Sequence, residues 1–398
     1  MSGTIRQALI LAGGKGTRLG EITRTVPKPM LPIAGDRPFL DYLLEMVGRH
    51  GYQDIILLGG YLGEVLEAAY DRRRVGGAAI RVVREKAPLG TAGALTAARD
   101  ALDPRFLMMN GDALFDINLR ALEQASRQSG AMATLALRAV SDAARYGRVI
   151  EEQGRIVAFM EKDRSRPGPG VINGGIYVLK REVLDLVRDL PCSLEQDVFP
   201  ALVNRGEIRG KEFDGYFLDI GLPETLEQAH RELPKARLRP AAIFECDTLV
   251  CAEGDQPGAL QWTQGAVEAI RALNDRGYYV FVISRRPVSA QTGAGGAVLR
   301  LNAAMQERLA AEGTHVDRFY SEPRHAAGVA PEDAIDTAKL KPGSSLLSRA
   351  TSEWPIVGER SFYVSVSLDN IKAARRAGFS AHVFDGGDLA RLVHSLMA

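Results

Sequence analysis

Short apolar runs alternate with amphipathic stretches along the first third of the chain. QALILA, DIILLGG, IRVVRE and RFLMMNGD are short and β-rich, and each precedes a polar or amphipathic stretch. Strands that alternate with helical patterns are typical of a mainly parallel α/β sheet. A second block, TLALRAV, GRVIEE, RIVAFMEK and VINGGIYVLK, predicts successive strands before a helix at about residues 193–203. Such a block could cover one end of a ligand site.

A basic, proline-bracketed segment, PKARLRP at residues 234–240, interrupts this pattern and is typical of an exposed linker. After it, AAIFECD and YVFVIS predict new strands around the amphipathic helix GAVEAIRALNDRGY. A chain of 398 residues also exceeds the usual size of one core. We therefore predict an α/β domain at residues 1–233, a linker at 234–240 and a second, smaller α/β domain at 241–398.

Composition and charge exclude several classes of protein. The chain has 50 basic and 49 acidic residues and no long basic run, which argues against nucleic-acid binding. No stretch approaches the roughly 18–20 apolar residues that span a bilayer, so no membrane association is expected. Three cysteines, Cys192, Cys246 and Cys251, do not make a disulfide framework. A cytoplasmic protein is the resulting expectation, and a homo-oligomer is left open.

A glycine-rich loop, LAGGKGTRL at residues 11–19, follows the first predicted strand. Glycines let backbone N–H groups approach an anion closely, so a nucleoside triphosphate is the expected ligand. The spacing fits neither the dinucleotide-binding fingerprint nor the P-loop, and a simple glycine turn is the alternative. The candidate nucleotide-binding residues here are Leu11, Ala12, Gly13, Gly14, Lys15, Gly16 and Thr17.

Two cations accompany the loop. Arg18 lies within it, and Lys28 follows about ten residues later between two prolines that stiffen its backbone. A guanidinium fork and a point charge both suit polyphosphate. Arg18 and Lys28 are therefore the candidate catalytic residues, although Lys28 taken alone could be a solvated surface lysine.

With PKPM at residues 27–30, the loop resembles the sugar-phosphate nucleotidyltransferases, and EKAPLGTAGAL, NGD, EK, NGGIYVL and GYFLDIG extend the resemblance over residues 7–233. The guanylyltransferases that act on heptose 1-phosphate are the most similar branch, followed by those that act on mannose 1-phosphate. The resemblance implies a Rossmann-like nucleotidyltransferase domain with a mixed sheet. It also implies transfer of a nucleotidyl group to a sugar 1-phosphate, which releases pyrophosphate and gives an NDP-sugar for surface polysaccharide or glycoconjugate synthesis.

Two aspartates are the candidate metal ligands. Asp112 ends the apolar strand before it, where α/β sheets usually bind ligands, and Asp219 ends GYFLDIG in the same way. Two carboxylates and phosphate oxygens make a suitable Mg²⁺ site, and the resemblance implies that these two residues hold the metal. Taken singly, each is better explained as a cap or turn residue, and it is their joint occurrence with the glycine-rich loop that favours the metal site. Asn110 and Gly111, just before Asp112, are counted with the nucleotide site.

The resemblance also implies the contacts of both substrates. Glu161 and Lys162 would bind the sugar hydroxyls and the 1-phosphate, together with Asn173 and Gly174. On the nucleotide side, Gly90 and Thr91 belong to the matching motif. Glu85 precedes that motif, and its carboxylate would match the two adjacent donors of guanine. GTP is therefore the favoured nucleotide, although a solvated loop residue would also explain Glu85.

From about residue 241 to 385 the chain resembles the haloacid-dehalogenase superfamily, especially heptose bisphosphate phosphatases. The nucleophile motif D-x-D is replaced by Glu245-Cys246-Asp247, and Val366 and Asn370 stand where an acidic pair is expected. Ser284 and either Lys339 or Lys341 match the remaining motifs. We expect this domain to be catalytically inactive. A bifunctional phosphatase–transferase and a non-catalytic regulatory protein are the alternatives for the whole chain.

Overall fold

The computed structural model describes residues 3–160, 165, 167–252, 260–284, 295–321 and 345–397. The chain forms two compact units, Met1–Ala236 and Arg237–Ala398, each with its own buried apolar clusters. No helix among the described residues is both long and apolar enough to cross a bilayer.

In the described part of the first unit, ten strands form one mixed sheet and four more form two small ribbons. The strands are β1 (Gln7–Leu11), β2 (Pro32–Ala34), β3 (Arg37–Pro38), β4 (Asp54–Gly59), β5 (Arg74–Val75), β6 (Ala78–Arg84), β7 (Arg105–Asn110), β8 (Ala113–Asp116), β9 (Ala133–Val140), β10 (Arg148–Glu152), β11 (Arg155–Met160), β12 (Gly170–Lys180), β13 (Ile208–Glu212) and β14 (Tyr216–Asp219). The sheet order is β10-β11-β13-β9-β12-β7-β1-β4-β6-β5, while β2 pairs with β3 and β8 with β14.

The helices of this unit pack against the large sheet and complete its two buried layers. They are α1 (Phe39–Arg49), α2 (Gly63–Tyr70), α3 (Gly90–Ala97), α4 (Leu119–Ser129), α5 (Phe199–Arg205) and α6 (Pro223–Ala236). Helix α1 shows why such segments are helical: Phe39, Leu40, Leu43, Leu44 and Val47 follow helical spacing and are wholly buried.

The centre of the sheet places the ends of its strands side by side. Strand β1 runs parallel to β4 and β7, with Leu11 paired to Leu58 on one side and to Asn110 on the other. It is buried on both faces, as a central parallel strand should be. Beyond β7 the sheet turns mainly antiparallel, from β12 to β10. The predicted Rossmann-like α/β domain with a mixed sheet is confirmed, and the carboxyl ends of β1, β4 and β7 meet at one edge.

The segment predicted to be a linker is partly helical. Helix α6 continues to Ala236, with Pro234 inside its last turns. The buried positions Leu226, Ala229 and Leu233 carry the apolar face of the helix up to that point. Further on, Arg239 makes a parallel bridge with Ile356 inside the second unit. The basic, proline-bracketed composition of residues 234–240 therefore coincides with the boundary between the two units. Residues 234–236, however, form the end of α6.

The described part of the second unit contains a five-stranded parallel sheet in the order β19-β18-β15-β20-β21 and one small ribbon, β16-β17. Its strands are β15 (Ala241–Glu245), β16 (Val250–Ala252), β17 (Leu260–Trp262), β18 (Tyr279–Ser284), β19 (Arg318–Ser321), β20 (Phe362–Ser365) and β21 (Ser380–Val383). Its helices are α7 (Cys246–Leu249), α8 (Ala266–Asp275), α9 (Gly295–Ala311), α10 (Ser345–Glu353), α11 (Leu368–Arg376) and α12 (Leu389–Met397).

A buried ion pair anchors α4 in the first unit. The Glu123 carboxylate is fully buried and accepts hydrogen bonds from Arg120, Arg127 and the backbone N–H of Ile5. Arg120 is 2% exposed, donates to two backbone carbonyls and lies over the ring of Tyr52. Removing one partner would leave a buried charge without its counter-charge, which is strongly destabilising.

We expect Glu123→Ala to lower the free energy of unfolding of the first unit by about 3–5 kcal/mol. Glu21→Ala is the matched control, because Glu21 pairs with Arg24 at 2.6 Å but both side chains are exposed. That change should cost at most about 1 kcal/mol. Urea unfolding monitored by fluorescence and circular dichroism compares the two variants. Equal decreases in the free energy of unfolding would contradict the role of the Glu123 ion pair as an anchor of α4.

Candidate functional site

A cavity of about 590 Å³ opens at the edge where the central strands end. It is large enough for a nucleoside, since small-molecule sites commonly measure about 300–1,000 Å³. Three segments form its wall: the glycine-rich loop, the turn after β4 and the segment that leads into α3. The lining residues are Leu11, Gly13, Gly14, Lys15, Gly60, Tyr61, Glu85, Lys86, Ala87, Pro88, Leu89, Gly90, Thr91 and Ala94.

Two glycines bring the loop and the turn after β4 into backbone contact. A Cβ on Gly13 would lie 2.7 Å from the backbone nitrogen of Gly60 and 2.8 Å from Oε1 of Glu85. A Cβ on Gly60 would lie 2.9 Å from the carbonyl oxygen of Gly13. All three distances are shorter than the Cβ contacts found in real proteins. Only glycine at these two positions leaves room for the carboxylate of Glu85 beside them.

Glu85 is half-buried at the cavity wall and directly follows β6. Its backbone N–H donates to the carbonyl of Gly59, and its Oε2 accepts a hydrogen bond from the backbone of Leu89. Loss of water raises the pKa of Glu85 above its ordinary range, and the Leu89 hydrogen bond partly offsets that rise. The carboxylate is thus held by the backbone and turned toward the cavity with Oε1 available beside Gly13.

The turn that opens α3 is clamped by the segment around Cys192. The backbone N–H groups of Ala92 and Gly93 donate to the carbonyl of Cys192, whose own N–H donates to Leu89. Gly90 has a φ of +78°, and a Cβ there would lie 2.4 Å from the Cys192 oxygen. Glycine is therefore required at position 90 on two grounds, conformation and space.

The cavity adjoins a cluster of charged side chains through the ends of β1 and β7. The N–H of Gly111 donates to the carbonyl of Leu11 at 2.8 Å, so the loop and the turn after β7 touch. The carbonyl of Asp112 accepts from the N–H of Ile220, and β8 pairs with β14 so that Ala113 faces Asp219. The two predicted metal ligands, Asp112 and Asp219, are consequently neighbours.

Lys28 lies at the same place. Its Nζ is 2.6 Å from Oδ2 of Asp112, and its side chain is 10% exposed while that of Asp112 is 46% exposed. A Cβ on Gly221 would lie 2.8 Å from Oδ1 of Asp219 and 3.5 Å from Nζ of Lys28. The ammonium group is therefore close to both carboxylates, and three separate sequence motifs converge on one cluster.

Tyr146 belongs to this cluster, although no motif singled it out. Its hydroxyl donates to Oδ2 of Asp219 at 2.8 Å. Partial burial and this hydrogen bond raise the pKa of Tyr146 to about 12, so the phenol keeps its proton at neutral pH. The other oxygen of Asp219 accepts from the N–H of Gly221. Tyr146 lies in the loop between β9 and β10, and a contact made from such a loop produces no periodic pattern in the sequence.

The remaining predicted residues of the loop lie apart from the cavity lining. Ala12 is buried and donates to the carbonyl of Leu58, so its role is to seat the loop. Gly16, with a φ of +63°, packs against Thr23 and Lys28. Thr17 and Arg18 are exposed at the start of a short helical segment. The catalytic role of Arg18 stays a prediction, because its exposed side chain is not part of the cavity wall.

The predicted sugar-side residues divide into two groups. Glu161 and Lys162 lie outside the described residues. Asn173 and Gly174 are on β12, where Gly174 packs so tightly against Phe115 that a Cβ would lie 2.4 Å from the ring. Asn173 accepts from the N–H of Gly175 and donates to the hydroxyl of Tyr177. Asn110 lies beside Gly175, at 3.0 Å from the position a Cβ would take there.

Comparison with known proteins places these features in a family. Residues 7–236 match the family of nucleotidyl transferases. A D-glycero-alpha-D-manno-heptose 1-phosphate guanylyltransferase of Aneurinibacillus thermoaerophilus is 35% identical over 57% of this chain and 98% of its own. A mannose-1-phosphate guanylyltransferase of Mycobacterium tuberculosis is 38% identical over 57% of this chain and 64% of its own.

Solved structures give the same result. The crystal structure of HddC from Yersinia pseudotuberculosis is 30% identical and covers 57% of this chain and 100% of its own, with a TM-score of 0.52. Its complex with GMP-PN is 29% identical with the same coverage and a TM-score of 0.50. The family match covers more than half of the chain and falls on the first unit. The chain therefore belongs to the nucleotidyl transferase family.

Proposed function

We propose that the first unit transfers GMP from GTP to a sugar 1-phosphate, with D-glycero-α-D-manno-heptose 1-phosphate as the favoured acceptor. The observation that carries this proposal is the cavity with the Glu85 carboxylate in its wall, which adjoins the Lys28, Asp112 and Asp219 cluster. Guanylyltransferases for heptose 1-phosphate and mannose 1-phosphate among the relatives support it. Mannose 1-phosphate is accordingly the second candidate acceptor.

In the proposed reaction, an oxygen of the sugar 1-phosphate attacks the α-phosphorus of GTP in line with the bond to the β-phosphate. One P–O bond forms, the α–β P–O bond breaks, and its electron pair leaves on pyrophosphate. The attacking oxygen is already ionised, so no protein base is needed. Lys28, and Arg18 if it folds over the ligand, would oppose the negative charge that gathers on the transferring group.

The charged cluster fits Mg²⁺. Two carboxylates and one ammonium leave a net charge of −1 (−2 + 1), which a triphosphate would make more negative still. Asp112 keeps almost half of its side chain exposed, and carboxylate and phosphate oxygens are the ligands that Mg²⁺ prefers. When bound, the ion would neutralise phosphate charge at the reacting centre. Asp112 and Asp219 would hold it, and Tyr146 would orient Asp219.

The role of Tyr146 can be tested against a tyrosine in a matching environment. Tyr216 is also half-buried in the first unit and also donates to a carboxylate, that of Glu232, at 2.9 Å. We expect Tyr146→Phe to weaken Mn²⁺ binding about tenfold or more, because partners of metal ligands usually contribute that much. Tyr216→Phe should leave Mn²⁺ binding unchanged.

Electron paramagnetic resonance of Mn²⁺ with a non-hydrolysable nucleotide measures this affinity without turnover. Asp219→Ala should abolish the bound signal and lower turnover by orders of magnitude. Unchanged Mn²⁺ binding in Asp219→Ala would remove this residue from the metal site, and equal effects of the two phenylalanine variants would remove Tyr146.

Base choice provides the test of the proposed nucleotide. We expect pyrophosphate release to be fastest with GTP when GTP, UTP, dTTP, CTP and ATP are each offered with heptose 1-phosphate, mannose 1-phosphate and glucose 1-phosphate. Glu85→Gln should lower kcat/KM for GTP about tenfold or more, as expected for loss of a charge-assisted hydrogen bond, and should affect UTP less. A wild-type preference for UTP or dTTP would refute the role of Glu85.

The pH dependence of nucleotide preference provides a second test of Glu85. Burial favours the protonated form of Glu85, so its charge is lost at a higher pH than that of an ordinary glutamate. As the pH falls through that raised pKa, the GTP-to-UTP ratio of kcat/KM should fall in the wild type. In Glu85→Gln the ratio should not change with pH over the same range.

For the second unit, we propose a haloacid-dehalogenase-like domain that does not hydrolyse phosphate esters. Glu245 ends the central strand β15 and is 8% exposed. Both of its oxygens accept from the Asn370 amide, at 2.7 and 2.8 Å, and the hydroxyls of Tyr363 and Ser365 donate as well. By the resemblance to haloacid dehalogenases, the Asn370 amide stands where a metal-binding carboxylate is expected, and as a donor it supports the proposal of an inactive domain. Lys339 and Lys341 lie outside the described residues.

The 398-residue chain with excess Mg²⁺ and no nucleotide should release no phosphate from heptose 1,7-bisphosphate above the blank. The extra methylene of Glu245 relative to aspartate and the amide of Asn370 both oppose an aspartyl-phosphate type of reaction. Malachite-green detection measures the phosphate. Multiple turnovers that disappear in Asp247→Asn would show instead that this unit is an active phosphatase.

A further inference from the structure

A chain of side-chain hydrogen bonds lies behind the wall of the nucleotide cavity. It begins at Thr91, which lines the cavity and opens α3. The Thr91 hydroxyl donates to Oε2 of Glu195 at 2.9 Å and accepts from the N–H of Leu194 at 2.8 Å. Ser193 also donates to Oε2 of Glu195. The position of Thr91 therefore depends on a carboxylate that comes from a distant part of the chain.

The other oxygen of Glu195 continues the network to Tyr177. The Tyr177 hydroxyl donates to Oε1 of Glu195 at 3.4 Å and receives a hydrogen bond from Nδ2 of Asn173 at 3.0 Å. The side chain of Asn110 donates to the same hydroxyl. Tyr177 is fully buried on β12, and its ring packs edge-on against Phe199 at 5.3 Å.

The phenol is fixed in its role as donor to Glu195. Burial, with the nearby charge of Glu195, raises the pKa of Tyr177 well above its ordinary range, so the hydroxyl keeps its proton. Asn173 is fixed as well, because its Oδ1 accepts from the N–H of Gly175 and its Nδ2 is left to face Tyr177. Each group in this network thus has one favourable arrangement, which makes the network rigid.

Residues of three separate motifs form hydrogen bonds with Tyr177 and Glu195. Thr91 belongs to the segment that leads into α3, Asn110 ends β7, and Asn173 lies on the sugar side of the site on β12. We propose that Tyr177 and Glu195 are positioning residues which hold the nucleotide side and the sugar-phosphate side of the site in one geometry. This inference rests on the proposed function, and neither residue needs to touch a substrate.

Tyr177→Phe removes the shared hydroxyl and keeps the buried ring. We expect it to raise KM for the nucleotide and KM for the sugar phosphate, each by about fivefold to tenfold, the effect of losing one hydrogen bond in a charged network. The matched control is Tyr52→Phe, because Tyr52 is equally buried in the same unit and its hydroxyl has no hydrogen-bond partner among the described residues.

Glu195→Gln provides a second variant of nearly unchanged shape. Its single carbonyl oxygen can serve only one of the two sides, since the amide group would face a donor. The increase in KM should therefore be larger for one substrate than for the other. Calorimetric binding of a non-hydrolysable GTP analogue, alone and with the sugar phosphate, checks both variants without turnover, and thermal melting confirms that they are folded.

The outcomes separate this inference from the function on which it rests. If the wild type makes no pyrophosphate with any sugar phosphate, the proposed function fails. If the wild type is active but Tyr177→Phe matches Tyr52→Phe in both KM values, the positioning role is wrong. An effect of Tyr177→Phe on one substrate alone, or on the melting temperature alone, would also overturn it.

Discussion

The close approach of two backbones at Leu11 and Gly111 is the constraint on which the rest of the site depends. These residues are about a hundred positions apart in the chain, yet the N–H of one donates to the carbonyl of the other at 2.8 Å. A Cβ on residue 111 would lie 2.2 Å from that oxygen. Any side chain there would force the glycine loop away from the turn that carries Asp112. Because residue 111 is a glycine and has no side chain, the cavity and the carboxylates can lie next to each other as one site.

The electrostatics follow from this geometry. Asp112 and Asp219 are brought together by the pairing of β8 with β14, and the ammonium group of Lys28 offsets only part of their combined negative charge. Because Asp112 is nearly half exposed, water weakens its attraction to Lys28 in the free protein. A ligand that excludes water would strengthen every charge interaction in the cluster. The negative charge of the cluster is therefore poorly compensated while the site is open to solvent, and the site is well suited to a charged ligand.

Much of this was predictable from the sequence because the decisive signals are local. The β-rich runs predicted β1, β4, β6 and β7, and the glycine loop predicted one wall of the cavity. Glycine spacing reports a close backbone approach, and a carboxylate after an apolar strand reports a strand end. Both signals lie within a few residues of the chemistry that they indicate.

Other features could not be predicted, because they depend on contacts between distant segments. Tyr146, Tyr177 and Glu195 each reach a partner on another element. Tyr177 lies within the NGGIYVL motif, but the motif does not indicate which distant side chain its hydroxyl contacts. Tyr146 and Glu195 lie in none of the motifs. The same limit explains the end of α6. Prolines and basic residues predicted a linker from residue 234, whereas buried contacts of Leu226, Ala229 and Leu233 extend the helix to Ala236.

The second unit shows how the same topological rule can lead to a different chemical state. Glu245 also ends a central parallel strand, where ligands usually bind. Unlike Asp112, it is almost fully buried, and donors from β20 and α11 use both of its oxygens. A carboxylate whose acceptor sites are already satisfied gains little by binding a cation and would lose those hydrogen bonds. Both carboxylates lie at or just after the end of a strand that has a parallel neighbour, so their position does not distinguish them. What differs is how many of their oxygen atoms already accept hydrogen bonds from the protein. A carboxylate whose acceptor sites are occupied in this way has a structural role, whereas one with free acceptor sites can bind a ligand.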